Sequence, residues 1–308
     1  MVKILANLDI VPNLSIDILN AKDLTKEQFY KHYIDNNKPC LIKDAIKHWP
    51  ACSKWSDFNY LKKLSGHNIV NRHTTVNYTG DNEFSNATLT KRAFSEALLE
   101  VEDDSIPIVS IPGEVITTTE SFSELRKDMG EIECIKNTQP PMQYPDARFF
   151  VYKNAGTGWH SHPVDETLMC QIAGDKKVSL FTTKDGDFQR IAKLADNERY
   201  QNGSHFLSKF KQDINLAIIT VRQGDALYIP PFWWHAVDPV DEKPGITLAR
   251  CFRSPLHKTG DISYPQIRQL WDLAWQKPNR FTPLVLGSVM LSKTLHIVRK
   301  CKRYFINT

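Results

Sequence analysis

Short apolar runs separated by turn residues fill the middle of the chain, and period-two alternation within them predicts strands. Ala147 to Lys153 (Ala-Arg-Phe-Phe-Val-Tyr-Lys) is strand-like, residues 154–158 are Gly-rich and turn-like, and His160 re-enters extended chain. Leu168 to Ile172 and Lys177 to Phe181 read as two more strands, joined at Ala173-Gly174-Asp175 by residues suited to a tight turn. Ala217 to Val221 is apolar and β-branched, and Gly224-Asp225 marks a turn. Ala226 to Ile229 is then a short strand ended by two prolines, and Ile246 to Phe252 supplies another. No βαβ alternation accompanies these runs, so they predict an antiparallel barrel or jelly roll.

Helical spacing appears on both flanks. Asp23 to Ile34 is helix-like, with Thr25 and Gln28 spaced as a capping box; Lys38-Pro39 stops it, and Cys40 to Ile42 follows as a strand. Phe58 to Leu64 and Ala93 to Glu100 read as short helices, and the polar stretch Asn77 to Ser85 as a loop near the barrel mouth. Beyond the strands, Ile267, Leu270, Trp271, Leu273 and Trp275 cluster at helical spacing between Tyr264 and Trp275. Leu284 to Val298 is apolar, but too short and too interrupted by Lys293 and His296 for a spanning helix. The division that results is an α/β lead-in over residues 1–120, packed on a barrel over 121–258, with a helical segment over 259–308 that has a basic end. That end (Lys293, Arg299, Lys300, Lys302, Arg303) reads as a solvated helix face, with contact to anionic lipid or an acidic partner as the alternative.

Composition narrows this only a little. A chain of 308 residues with 41% hydrophobic content can bury a full core, which favours one enlarged barrel domain over two independent ones. The net charge of +4 does not argue for nucleic acid, and no RNA-reading motif is present. The six cysteines are scattered without pairing or zinc spacing, and Asn7 and Asp9 interrupt any signal core after Met1 to Ala6. A reducing cytoplasm is the expected compartment.

The chemistry concentrates in His160-Ser161-His162 and in His235, which follows the rigid run Pro230-Pro231-Phe232-Trp233-Trp234. Residues i and i+2 of a strand share a face, so the first two histidines can converge on one metal ion and the third can close the site. Pro163 disfavours helical backbone at His162 and so keeps the pair extended. A single histidine in a strand is more often structural, whereas a same-face pair with a distant third in an aromatic wall is a metal pattern. His32, His48, His67, His73, His205, His257 and His296 lack that setting and read as surface or packing residues. Trp159, Trp233 and Trp234 are balanced between a pocket wall and a packed core.

From about Phe149 to Arg253 the chain resembles the JmjC and cupin-like hydroxylases, the group that includes the asparaginyl hydroxylase acting on hypoxia-inducible factor. The resemblance is carried by Thr157-Gly-Trp-His160, by the stretch from Gln171 to Phe181, by Gly224 to His235 and by Gly245-Ile-Thr-Leu. Upstream, Lys38 to Lys43 with Trp49 and Trp55 is similar to the same family. It implies a double-stranded β-helix, mainly β with helical additions, that binds Fe(II) and 2-oxoglutarate. It also implies that O2 is used to hydroxylate or demethylate a protein side chain, a peptide or a small molecule. Residue by residue, it implies His160 and His235 as metal ligands, and Thr157 and Lys176 as holders of the cosubstrate's far carboxylate. Strand alternation supports Lys176 independently, since it shares a face with Val178 and Leu180 and there wants an anion. Thr167 and Cys251 fall near positions where those hydroxylases carry asparagine. Helices like those at the C-terminus form dimer surfaces in the family, which makes a homodimer one expectation here and packing on the chain's own barrel the other.

The departure from the family is His162, which stands where those hydroxylases carry Asp or Glu. Three completions stay open: His162 itself, Asp165 or Glu166. The spacing His160-x-His162-x3-Glu166 with the later His235 also resembles the general cupin metal pattern, which implies a four-ligand metalloenzyme that does not consume 2-oxoglutarate. A non-catalytic binding protein on the same barrel is the remaining alternative.

Overall fold

In the computed structural model, the described residues are 12–73, 89–162, 164–182, 215–278, 280 and 282–306. The alternating runs become strands of two facing sheets. β1 (Asp17–Asn20), β2 (Cys40–Lys43), β3 (Ile69–His73), β4 (Leu89–Ala93), β5 (Val109–Val115) and β6 (Ala147–Lys153) come first. β7 (Thr157–His160), β8 (Asp165–Ala173), β9 (Lys176–Phe181) and β10 (Ala217–Val221) follow. β11 (Ala226–Ile229), β12 (Trp234–Pro239) and β13 (Pro244–Arg253) complete the set. The larger sheet has nine strands in the order β1-β2-β11-β8-β13-β6-β5-β3-β4, and the smaller has four in the order β10-β9-β12-β7. Except for the parallel β1–β2 pair, the ladders are antiparallel. This is the jelly-roll double-stranded β-helix.

Five of the nine strands, β1 to β5, come from the residues before 121, so the lead-in is hydrogen-bonded into the major sheet through β2–β11 and β5–β6. Its helices cover the outer face of that sheet. Phe29, Trp49, Trp55, Phe94 and Phe122 pack there with Phe149, Leu168, Cys170 and Leu248 in the main core. The predicted capping box is present: the Thr25 hydroxyl accepts from the Gln28 backbone N–H and the Gln28 side-chain Oε1 accepts from the Thr25 backbone N–H. The α-helix that follows is only Lys26–Phe29, because the chain widens to a π-turn over Tyr30–Ile34.

Between the sheets lies a second apolar cluster, in which Leu41, Met169 and Ile229 meet Val178, Leu180 and Trp233. The C-terminal helices, Pro265–Gln276 and Thr282–Ile306, pack on the barrel near Phe232 through Tyr264, Ile267 and Val289. Leu284, Met290, Leu291, Ile297 and Val298 of the last helix are exposed. No helix among the described residues is long and apolar enough to cross a membrane. The loop expected over Asn77 to Ser85, His205 and Pro163 lie outside the described residues.

Candidate metal centre

β7 and β12 pair so that the Cα of His160 sits opposite that of His235. The strand ends at His160, so His162 reaches the group from the segment after it rather than from within the ladder. The three rings still converge, with centroids 4.0 Å apart for His160 and His235, 5.0 Å for His162 and His235, and 5.2 Å for His160 and His162. One ligand nitrogen from each lies within 4.8 Å of the others. The Nδ1–H of His235 donates to the Trp233 carbonyl at 3.1 Å, which leaves Nε2 with its lone pair free for a metal. His162 Nδ1 is hydrogen-bonded to the Thr167 hydroxyl at 2.9 Å, which fixes its ring.

Burial, reinforced by the neighbouring His160 and Arg148, pushes His162 down to about 3; burial and the other two histidines hold His235 well below its usual value. Two buried imidazoles that resist protonation, packed against a third, suit a divalent cation, so the donor set fits a metal.

The carboxylates go elsewhere. Asp165 accepts from the backbone N–H groups of Met142, Gln143 and Tyr144 at 2.7, 2.8 and 3.1 Å. It thereby pins the loop whose Tyr144 ring lies 5.0 Å from that of His162. Glu166 alternates to the opposite face of β8 from Thr167, where it is fully buried. There Oε1 accepts from Ser254 Oγ at 2.6 Å and pairs with Lys258 Nζ at 2.5 Å, while Oε2 accepts from Tyr228 at 2.6 Å. The expectation that Glu166, or Asp165, completes the site is therefore corrected: neither is brought to the histidines. Among the described residues no carboxylate joins the group.

His160, His162 and His235 open into a cavity of about 410 Å³ that also takes in Thr157, Thr167 and Lys176. Thr167 is thus on the cavity wall, committed to His162 and 3.8 Å from the Cys251 sulfur. Lys176 is buried; its Nζ donates to the Ala155 carbonyl at 2.5 Å and lies 3.2 Å from the centre of the Tyr152 ring. Burial, partly opposed by Asp238, pushes this amine down to about 7. Gln171 donates to Tyr152 Oη at 2.6 Å and accepts from Thr247 at 2.8 Å, which locks the ring beneath Lys176. Gly245 permits the arrangement, because a Cβ there would collide with Tyr152.

Tyr152, Thr247, Tyr144 and Arg148 are cavity residues that the sequence reading missed. A signal existed in β6, whose Arg148, Phe150 and Tyr152 alternate with the buried Ala147, Phe149 and Val151. Trp233 belongs to the packed cluster, its indole N–H donating to the Asn37 carbonyl at 2.9 Å, and Trp234 stacks on Phe181; neither lines the cavity.

Comparison with known proteins agrees with this architecture. The family model described as the cupin-like domain matches residues 26–255. The lysine-specific demethylase JMJ32 of Arabidopsis thaliana is 39% identical over 271 residues, covering 72% of this chain and 76% of the relative. The Jumonji C domain-containing protein 5 of Drosophila melanogaster is 25% identical over 248 residues, 74% of this chain but only 58% of the relative's own length. The human bifunctional peptidase and (3S)-lysyl hydroxylase JMJD7 is 24% identical over 248 residues, with 70% and 78% covered. With the jelly roll and the convergent histidines in place, the match across both lead-in and barrel assigns the chain to the JmjC-related cupin-like family.

Proposed function

We propose that this chain is an Fe(II)- and 2-oxoglutarate-dependent oxygenase that hydroxylates a protein or peptide side chain, or a small molecule. The observation that carries this reading is that one cavity holds three convergent histidines together with a buried lysine and Thr157. The relatives named as demethylases and as a lysyl hydroxylase point to the same reaction class. His160, His162 and His235 would hold the iron; Lys176 and Thr157 would hold the far carboxylate of the cosubstrate. Bound there, iron and the oxoacid would supply O2 activation for attack on a C–H bond.

The chain's own part is orientation and charge. Thr167 and the Trp233 carbonyl fix two ligand rings, and Tyr152 with the Ala155 carbonyl fixes the Lys176 ammonium. With three neutral imidazoles the ion keeps its full charge, so a dianionic cosubstrate is the group that would neutralise it. A reducing, cytoplasmic setting goes with this reading; it would keep Cys40, Cys52, Cys134, Cys170 and Cys251 as the free thiols they are.

The test is anaerobic titration of the purified chain with Fe(II), with and without 2-oxoglutarate, followed by visible absorption. A charge-transfer band that needs the oxoacid and disappears in Lys176→Ala is the expected outcome. Tight iron binding with no band would sink the cosubstrate assignment. It would favour instead a three-histidine dioxygenase that does not consume 2-oxoglutarate, the reading to which the lack of a carboxylate in the group lends support. Glu166→Ala should leave iron affinity unchanged, because its carboxylate faces away from the cavity.

A further inference from the structure

Lys176 and the histidines have tasks in the reading above; Arg148, the other cationic side chain on the cavity wall, has none. We propose that Arg148 selects the substrate, and that the substrate carries an acid group, carboxylate or phosphate, on an apolar body. This rests on the oxygenase reading, which assigns the other end of the cavity to the cosubstrate.

The placement comes from β6. Arg148 and Tyr152 share its cavity face four residues apart, about 13 Å along the strand. Tyr152 lies under Lys176, so Arg148 marks the far end. It stands there beside the metal group: its guanidinium is 5.0 Å from the Tyr144 ring, and that ring is 5.0 Å from His162. A cosubstrate held between the histidines and Lys176 leaves this end open for a second molecule.

Arg148 also lacks an anion. Among the described residues it has no carboxylate partner; its guanidinium reaches the neutral Cys251 thiol, and its Nε is buried without a hydrogen bond. The acids nearby in the sequence and fold are engaged, Asp146 with Arg250 at 3.2 Å and Asp165 with backbone N–H groups. Tyr144 and Phe150, at 5.0 and 5.9 Å, hold the guanidinium against aromatic faces and leave its N–H edge to recognise an anion in two-pronged fashion. Met169, Ile229 and Val237 give the same cavity an apolar lining for the rest of the molecule. A lysine side chain, the group named for the plant and human relatives, would meet repulsion from both Arg148 and the metal ion.

The test uses the full chain loaded with Mn(II) and saturated with N-oxalylglycine, a non-reacting stand-in for 2-oxoglutarate. Benzoate is the probe and benzylamine its cationic counterpart, both followed by titration calorimetry. The expected result is benzoate binding that exceeds benzylamine binding, falls at least about tenfold in Arg148→Met and recovers in part in Arg148→Lys. Benzoate affinity unchanged in Arg148→Met, or a preference for benzylamine, overturns the proposal. Circular dichroism checks that Arg148→Met folds, and Arg148→Gln, which keeps an N–H donor but no charge, takes its place if it does not. N-oxalylglycine binding is measured separately. Its absence, with benzoate binding that still depends on Arg148, would overturn the cosubstrate reading and leave the acid-binding role standing.

Discussion

Lys176 shows how a single side chain can be costly to the fold and useful to the site. Burial lowers its amine to about 7 from an ordinary 10.5, so between those values the unfolded chain holds a proton that the folded chain does not. Stability without ligand should therefore rise with pH across that window, by up to about 1.4 kcal/mol per unit. Lys176→Met should stabilise the protein most below pH 7, and the gain should shrink toward pH 10, as urea denaturation at several pH values would show. Anion binding has the opposite dependence, because a carboxylate needs the ammonium form. Affinity for N-oxalylglycine should fall about tenfold per unit above pH 7. A flat profile would mean that Lys176 does not meet the carboxylate. Thr167 offers a separate test: Thr167→Val removes the hydrogen bond to His162 and should weaken metal binding about ten- to a hundredfold, measured by competition with a chelator.

β8 and β9 show what could be read in advance and what could not. The alternation of β9 puts Lys176 on one face with the apolar Val178 and Leu180 from the residues alone. Alternation on β8 carries Glu166 away from the histidines, yet that was hidden. Its partners Tyr228, Ser254 and Lys258 lie 62 to 92 positions further on and meet it only in the folded sheet. β1, β3 and β4 escaped for a different reason. They lie at or next to the sheet margins, where Ile18 and Ile69 are each 64% exposed and polar residues interrupt the pattern. On β13, Gly245 admits the Tyr152 ring at a spacing no larger residue allows. Gly245→Ala should displace that ring and lower N-oxalylglycine affinity several-fold while iron binding persists, a split that parallel titrations of the two ligands would reveal.

The family match ends at residue 255, but the forces that hold the barrel do not. Lys258, just beyond that limit, supplies the buried charge opposite Glu166, and removing one member of such a pair costs about 3–5 kcal/mol. Lys258→Met should lower the unfolding free energy by an amount in that range. Glu166→Gln combined with Lys258→Met should recover part of the loss, as a double-mutant cycle in denaturant would establish. A chain cut at Pro255 loses this charge and the packing of Tyr264, Ile267 and Val289 on Phe232 as well.

Phe232 carries a consequence of its own. It holds a left-handed backbone, φ 67°, a conformation costly for so large a residue. Its ring stacks on Tyr264 at 4.7 Å, and its N–H donates to the His162 carbonyl at 2.8 Å. One residue thus ties the C-terminal helices to a proposed metal ligand. If their docking favours the ligand's position, linkage requires that the ion favour their docking equally. Loading the protein with metal should then slow amide hydrogen exchange along 265–276, a segment that contributes nothing to the coordination itself.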